Sequence, residues 1–256
     1  MMPSSVFVPE ASNDTPNQQS ILAVAPAAAS AGIQNKDLDM LDGRASTSVM
    51  EASKPAFNPE EVAVIFVLGG PGAGKGTQCG ELLKRHPELV HLSAGDLLRE
   101  ERSRPDSHFG SLINHHIREG TIVPMQITIS LLEKAMKDNP LCKCFLIDGF
   151  PRNVAQGIAF EQQVCPCKMV LFFDCPEDVL VARLIKRAES SGRDDDNVES
   201  IRKRLVTYRD TTLPVITHYH EQSKVCTIDC TGRIDEITDA VLDKIMSKLN
   251  LKTIDN

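Results

Sequence analysis

The sequence predicts an α/β fold in which five parallel strands form one doubly wound sheet. From residue 61 onward, short β-branched runs alternate with longer stretches of helical period, a pattern typical of strands joined by crossover helices. The run at 62–68 is almost continuously apolar, as central parallel strands are because helices cover both of their faces. A glycine-rich turn follows this run directly and predicts a tight connection into the first helix.

The predicted strands are short apolar runs bounded by polar or turn-forming residues. They are 62–68, 89–92, 144–147, 169–173 and 225–228. The predicted helices are longer stretches in which apolar residues recur every three or four positions. They are 75–86, 109–119, 127–137, 155–163, 177–189, 197–209, 214–222 and 234–249.

Residues 1–60 have a different composition from the rest of the chain. They are rich in Ala, Ser, Pro, Asn and Gln without a sustained period, which predicts a disordered leader before a single folded domain at 61–250. The first basic residue is Lys36, so the leader lacks the features of a secretory signal or a mitochondrial presequence. We expect the protein in the cytoplasm, with the nucleus as an additional compartment.

Charge and composition argue against several classes of partner. The 256 residues carry 28 Lys and Arg against 35 Asp and Glu, a net charge of -7, which disfavours binding to nucleic acid. The longest apolar run, 62–68, is far shorter than the ~20 residues that a membrane span needs. The eight cysteines are predicted to be reduced thiols, and their C-x-C pairs lack the spacing of structural zinc sites. We therefore expect small molecules as partners. As a separate expectation, the protein is a monomer.

The glycine-rich turn predicts a phosphate-binding site. Gly69, Gly74 and Lys75 match the spacing G-x-x-x-x-G-K. Glycines let consecutive backbone N–H groups face a phosphate, the next helix presents its positive end, and the lysine adds a cation. The usual Ser or Thr after the lysine is Gly76, with Thr77 one place later. We call residues 69–77 the phosphate loop.

Six arginines are candidates to neutralise charge during phosphoryl transfer, which needs positioning and electrostatic stabilisation more than covalent chemistry. They are Arg99, Arg152, Arg183, Arg187, Arg193 and Arg204. Arg152 follows a predicted strand, at the rim where doubly wound sheets bind ligands. Asp148 ends that strand and would contact Mg²⁺ through a water, with no direct protein ligand expected. Alternatively, Asp148 only initiates the turn at Gly149.

The acidic run Asp194–Asn197 lies between two predicted helices and leaves two interpretations open. It could be a solvated loop in which Asn197 caps the next helix. Its carboxylates could also pair with cationic side chains and hold a closed conformation, although surface pairs are weak.

Five segments resemble motifs of the nucleoside monophosphate kinases. They are GGPGAGKGT at 69–77, LSAGDLLR at 92–99, EGTIVP at 119–124, DGFPR at 148–152 and SGRDDDN at 191–197. The resemblance covers 61–249, and Gly-Lys-Gly-Thr is the form of the phosphate loop in this family. Glu101-Arg102 and the segments 105–107, 127–132 and 171–178 are most similar to UMP-CMP kinases and fungal-type uridylate kinases of the adenylate kinase family.

The resemblance implies a P-loop three-layer fold with a helical NMP-binding insertion at about 93–123 and a short lid at about 188–198. It implies a phosphotransferase of pyrimidine nucleotide biosynthesis that moves the γ-phosphoryl of Mg-ATP to UMP. CMP would be a second acceptor, and AMP and deoxynucleotides are further candidates.

The site residues that the resemblance implies fall into three sets. The catalytic set is Lys75, Arg152, Arg193 and Arg204. The ATP-binding set is Gly72, Ala73, Gly74, Lys75, Gly76, Thr77, Arg187 and Gly232. The NMP-binding set is Arg99, Thr121, Ile122, Val123, Gly149, Phe150, Pro151, Arg152, Asn153, Gln156, Arg193 and Arg204.

The choice of acceptor base depends on three positions. Ala94 stands where adenylate kinases usually carry Thr, which favours a pyrimidine kinase. Asn153 and Gln156 both match base-reading positions, and an amide can serve uracil or cytosine by choosing its orientation. An adenylate kinase remains the alternative. A GTP-dependent switch protein would need an N-K-x-D motif, which is absent, and a binding module without activity would lack the acceptor-side arginines.

Overall fold

A parallel sheet of five strands forms the centre of the computed structural model, which describes residues 54–192 and 195–249. The strands are β1 Ala63–Gly69, β2 Leu89–Ser93, β3 Cys144–Asp148, β4 Cys167–Asp174 and β5 Val225–Asp229. Their order in the sheet is β2-β3-β1-β4-β5. All four neighbouring pairs are parallel, which confirms the predicted fold class.

Strand β1 is central because its side chains are apolar on both faces. Val64, Ile65, Phe66 and Val67 are all fully buried. In the register of the sheet, Val67 lies beside Asp148 at the end of β3. The carboxyl ends of neighbouring strands therefore meet at one edge, where the phosphate loop begins.

Nine α-helices lie within the described ranges. They are α1 Lys75–Arg85, α2 Ala94–Ser103, α3 Gly110–Glu119, α4 Met125–Lys137, α5 Val154–Gln163, α6 Glu177–Ala188, α7 Val198–Thr207, α8 Leu213–Glu221 and α9 Ile234–Leu249. Each helix within these ranges is too short or too polar to span a bilayer.

The helices cover both faces of the sheet, which confirms the three-layer arrangement. One core contains buried side chains of α1, α6, α7 and α9, and a second core contains those of α4, α5 and α8. A third, smaller cluster joins Leu98 of α2, Ile113 of α3 and Ile127 of α4. The helices that follow β2 thus have a core of their own beside the main fold.

Two local features differ from the predicted helices. Helix α2 was not among the helices predicted from periodicity, because Gly95 lies in its first turn and lowers helix propensity; the helical insertion that the resemblance implies does contain it. Its start is marked by Ser93, whose side chain accepts a hydrogen bond of 3.2 Å from the Asp96 amide. The predicted helix at 197–209 instead ends at Thr207 and continues into a π-helical turn, Tyr208–Thr212.

The packed part of the chain begins before residue 60. The amides of Ala56 and Phe57 donate to the carbonyls of Gln163 and Val164 at 3.0 and 2.9 Å. The Phe57 ring meets Phe145 edge-on, with centroids 6.5 Å apart. These contacts shorten the predicted leader, and its residues 1–53 lie outside the described part.

Candidate active site

A cavity of about 640 Å³, the main cleft, opens at the carboxyl edge of the sheet. It brings together many of the predicted site residues: Gly72, Ala73, Gly74, Lys75, Gly76, Thr77, Arg99, Asp148, Gly149, Pro151, Arg152, Arg187, Arg204 and Gly232. Arg193 lies outside the described residues. The cleft therefore joins the phosphate loop to arginines from α2, α6, α7 and the segment after β3.

The phosphate loop has a backbone that requires glycine at two positions. Gly72 has φ +88, and a Cβ there would lie 2.8 Å from the carbonyl oxygen of Leu180. Gly74 has φ +87 and forms the N-cap of α1 in the left-handed conformation, which L side chains rarely adopt. The helix begins at the next residue, so its positive end faces the cleft.

The side chain of Lys75 is hydrogen-bonded to the phosphate loop itself. Its Nζ donates to the carbonyl oxygens of Gly69 and Gly70, both at 2.9 Å. Burial lowers the pKa of Lys75 while the nearby charge of Asp148 opposes the shift. The ammonium thus lies in the cleft against neutral carbonyl groups, and a phosphate would be a stronger, charge-assisted partner.

Arg152 lies in the cleft just beyond the end of β3. Its Nε donates to the carbonyl oxygen of Gly149 at 3.2 Å. Burial and the charges of Arg204 and Arg99 lower the pKa of Arg152 to about 10, so the group remains cationic at neutral pH. Its own carbonyl accepts a 3.0 Å hydrogen bond from Thr212 in the π-helical turn. The irregular turn therefore helps to position this arginine.

The arginines of α6 and α7 are paired with carboxylates. Arg187 forms two hydrogen bonds with Asp196, at 2.9 and 2.6 Å. Arg204 lies 2.8 Å from a carboxylate oxygen of Asp195 and 3.3 Å from one of Asp196. Both carboxylates are buried. This pairing supports the second interpretation of the acidic run.

Asp196 is the centre of this ion-pair cluster. Burial raises its pKa, but hydrogen bonds from Arg187 and Ser191 and the charges of Arg187 and Arg204 outweigh burial, so the net pKa is lowered. The Ser191 hydroxyl donates to Asp196 at 2.6 Å. Helix capping occurs as well, because the Asn197 side chain accepts from the Ser200 amide at 2.9 Å. The two interpretations of the acidic run are thus compatible.

The residues around Asp148 fit a hydrated magnesium ion. The carboxylate of Asp148 would lie 3.7 Å from a Cβ added at Gly76, so the missing side chain leaves space between the loop and Asp148. His91 Nε2, a buried atom without a hydrogen bond, lies 3.6 Å from Asp148. Across 54–192 and 195–249, His, Cys, Asp and Glu side chains form no group of three that could hold a metal. A lone carboxylate suits Mg²⁺, which retains waters and binds largely through substrate phosphates.

A narrow side pocket, with a volume of about 10 Å³, adjoins the main cleft. It is lined by Ala94, Leu98, Ile122, Val123, Thr128, Gly149, Phe150, Arg152 and Gln156. The lining includes six of the predicted NMP-binding residues, together with Ala94. The backbone and side chains around Val123 thus form one wall, and the segment 149–156 forms the other.

Of the two candidate base-reading amides, the structure places Gln156 in the side pocket. Gln156 is 2% exposed, and its Oε1 accepts a 2.8 Å hydrogen bond from the Arg152 amide. The Asn153 Oδ1 instead accepts from the Gln156 amide at 2.8 Å and caps α5. Thr121 does not line the pocket either, and its hydroxyl lies 2.8 Å from His116 Nδ1.

Three further residues line the main cleft, although their sequence context indicated a binding role only weakly or not at all. Arg183, a candidate because it lies four residues before Arg187 on one helix face, lines the main cleft and donates to the Cys230 carbonyl at 2.8 Å. Asp96 lines the same cleft and pairs with Arg99. Tyr208 reaches the cleft from the π-helical turn, and such turns often occur at functional sites. Neither Asp96 nor Tyr208 was predicted, because neither stands in a spacing that indicates a ligand.

Comparison with known proteins agrees with this geometry. The family model described as "Adenylate kinase" matches residues 67–224. The "Uridylate kinase" of Saccharomyces cerevisiae is 51% identical over 77% of this chain and 97% of its own length. The "UMP-CMP kinase" of Homo sapiens is 47% identical over 70% of this chain and 94% of its own length. Since the family model covers more than half of the sequence, the chain belongs to the adenylate kinase family.

Proposed function

We infer that this protein transfers the γ-phosphoryl group of Mg-ATP to UMP, and also to CMP, and yields the nucleoside diphosphate for pyrimidine nucleotide biosynthesis. The observation that carries this inference is the main cleft, in which the phosphate loop faces Arg99, Arg152 and Arg204 across one cavity. The names of the relatives from yeast and human support the choice of acceptor.

The donor phosphates would bind the phosphate loop. Backbone N–H groups at 72–77 and the positive end of α1 attract the phosphate oxygens. Lys75 would exchange its two carbonyl partners for oxygens of the β- and γ-phosphates. Gly232 and Arg187 also line the cleft and would contact the adenosine side of ATP.

The acceptor phosphate would bind on the opposite side of the cleft. Arg99 and Arg152 can hold its oxygens with planar, bidentate hydrogen bonds. One of these oxygens attacks the γ-phosphorus in line, the bond to the ADP oxygen breaks, and ADP leaves with the electron pair. A phosphate oxygen is already ionised at neutral pH, so the chain needs no side-chain nucleophile and no general base. Arg193 and Arg204 would stabilise the charge between the two substrates.

Mg²⁺ would neutralise charge on the donor phosphates. Asp148 is the residue that would hold it, through a water, beside the space left by Gly76. Magnesium supplies charge stabilisation for the transferring group when it is bound. The chain's own contribution is the carboxylate, which also balances the cationic Lys75.

Two segments would close over the substrates and exclude water. They are the acceptor segment at about 93–123 and the lid at about 188–198, within a kinase domain at 61–250. A small core joins α2 and α3 of the acceptor segment to one another and to Ile127 of α4. Closure would prevent hydrolysis of ATP by water.

The side pocket favours uracil over cytosine. A backbone N–H can only donate, so the bond from the Arg152 amide identifies the facing Gln156 atom as the carbonyl oxygen. The Gln156 amide group is then the donor that points away from Arg152. This donor would match the O4 acceptor of uracil, whereas cytosine presents an amino group at that position.

A coupled assay tests the proposal. ADP formation from ATP is measured with UMP, CMP, dCMP or AMP as acceptor, and a reaction without acceptor corrects for ATP hydrolysis. We expect the highest kcat/KM with UMP. A higher kcat/KM with AMP would establish an adenylate kinase instead. A cytoplasmic and nuclear location and a monomeric state stay predictions.

A further inference from the structure

Thr128 is a buried polar residue of α4 that the predicted site does not include. Its exposed fraction is 5%, and it lines the side pocket. Its hydroxyl makes no hydrogen bond with the described residues. A hydroxyl that no protein group engages keeps its capacity to donate and to accept a hydrogen bond, and is therefore available to a ligand.

The hydroxyl of Thr128 is not sealed inside the protein. In the described part of the chain, His91 Nε2 is the buried side-chain atom that is both closed to solvent and without a hydrogen bond. The Thr128 hydroxyl also lacks a hydrogen bond, but it is not closed to solvent, so its oxygen reaches open space. The space that it adjoins is the side pocket.

The remaining lining of the side pocket offers few polar side chains. Ala94, Leu98, Ile122, Val123 and Phe150 contribute apolar surface. The polar side chains are those of Thr128, Arg152 and Gln156. Apolar walls with a small number of placed polar groups are typical of pockets that bind small molecules.

We propose that the Thr128 hydroxyl hydrogen-bonds the base of the acceptor nucleotide, as a second base-reading group beside Gln156. This inference rests on the proposed function, because the side pocket must receive the base of a nucleoside monophosphate. A hydroxyl both donates and accepts, and its hydrogen rotates to suit the partner. It can accept from the ring N3–H of uracil or donate to the ring N3 of cytosine.

The two polar groups would therefore divide the recognition of the base. Gln156 has its carbonyl oxygen engaged by the Arg152 amide and presents a donor, which discriminates between uracil and cytosine. Thr128 adapts to either pyrimidine, so it adds affinity for both without changing their ratio. The pocket of about 10 Å³ holds about one water molecule. A base would thus enter when the acceptor segment at about 93–123 moves away from the segment 149–156.

Steady-state kinetics of two variants test this proposal. Thr128→Val removes the hydroxyl at nearly constant shape, and Thr128→Ser retains it. With Thr128→Val we expect kcat/KM for UMP and for CMP to fall by the same factor, about five- to tenfold, which corresponds to one neutral hydrogen bond. The loss should appear in the KM of the acceptor, while the KM of ATP and kcat stay unchanged. Thr128→Ser should retain most of the wild-type value.

Thermal unfolding separates recognition from a structural role. Thr128→Val loses no hydrogen bond within the described protein, so its Tm should equal or exceed that of the wild type. Thr238→Val is the matched control: the Thr238 hydroxyl lies 2.7 Å from Gln78 Oε1, so this variant should lower Tm and leave the KM of the acceptor unchanged.

Three outcomes would overturn the proposal. The first is an unchanged acceptor KM in Thr128→Val. The second is an equal loss in Thr128→Ser, which would assign the effect to packing. The third is a wild-type protein that does not phosphorylate UMP, which would refute the proposed function as well. The first two results, obtained with an active wild type, would refute only the role of Thr128.

Discussion

Four cations of the main cleft lie in two regions that differ in their hydrogen-bond partners. At the edge of the sheet, Lys75 and Arg152 donate to backbone carbonyl oxygens. On the helices α6 and α7, Arg187 and Arg204 are paired with the carboxylates of a buried acidic pair. Neutral carbonyls leave the charge at the sheet edge available to phosphate, whereas the carboxylates neutralise much of the charge on the lid side.

The difference indicates separate tasks for the two regions. Burial lowers the pKa of both Lys75 and Arg152, so an arriving anion would relieve an electrostatic cost at the sheet edge. On the lid side burial also lowers the pKa of Arg204, but the charges of Asp195 and Asp196 oppose that shift. We therefore expect substitutions at the sheet edge to affect catalysis most, and substitutions in the acidic pair to affect stability and closure.

The largest expected effect is that of Arg152→Ala. By analogy with arginines that stabilise phosphoryl-transfer transition states, kcat should fall by ~10³ or more. Initial rates with ATP and UMP measure the change. Arg209→Ala is the control, since Arg209 is half exposed and pairs with Glu177 at 3.4 Å; it should retain the wild-type rate. Near-normal turnover of Arg152→Ala would refute the assignment.

Lys75→Met should lower kcat by roughly 10²–10³, the usual cost of removing a preorganised donor from a transition state. The matched control on the same helix is Lys84→Met, because Lys84 is largely exposed and pairs with Glu81 at 2.7 Å. Rates at saturating ATP separate the loss of catalysis from weaker binding. Equal rates for the two variants would mean that Lys75 does not act on the transferring phosphoryl group.

Asp196→Asn should chiefly destabilise the fold. It leaves Arg187 and Arg204 without their shared carboxylate, at a cost of about 1–3 kcal/mol in the free energy of unfolding. Urea unfolding measures this cost. Asp239→Asn, in an exposed pair with Arg85, should cost less than about 1 kcal/mol. Equal costs for the two variants would contradict a central role for Asp196.

The pH dependence of stability should identify the same group. The folded-state pKa of Asp196 lies below its ordinary value of 3.8, so folding is stabilised while this carboxylate is ionised. The contribution is fully present above pH 3.8 and is lost as pH falls through the folded-state pKa. The stability difference between wild type and Asp196→Asn should therefore be constant from neutral pH to about pH 5, and should shrink at lower pH. A difference that grew with acidity would contradict this account.

The smallest effect is expected from Asp195→Asn. Arg204 would keep its contact with Asp196 and the carbonyl oxygen of residue 195, so we expect a change of only a few-fold in the KM of ATP, near the weak end of ion-pair energies. Kinetics with ATP as the varied substrate test this. Wild-type values for both KM and kcat in this variant would show that Asp195 has no role in closure of the lid.

Periodicity and the glycine spacing were sufficient to predict the sheet and the phosphate loop, because both depend on local patterns. Periodicity did not predict helix α2, because Gly95 disfavours a helix in its first turn. The N-terminus of this helix is defined by the Ser93 side chain, which accepts a hydrogen bond from the Asp96 amide. The partners of Asp196 lie eight and nine residues away on different helices, so the sequence suggested ion pairs without identifying them. The orientation of Gln156 depends on one backbone amide, and Thr128 resembles any residue of an amphipathic helix. These features require the assembled structure.

A competition experiment tests the central claim, a cleft built to phosphorylate a pyrimidine nucleotide. Equimolar, separately labelled UMP and AMP are incubated with limiting Mg-ATP and the wild-type protein, and the early diphosphate products are separated and counted. Their ratio equals the ratio of the two kcat/KM values. We predict that labelled UDP forms faster than labelled ADP by at least about tenfold, the equivalent of one well-placed hydrogen bond. Faster formation of ADP from AMP would contradict this account.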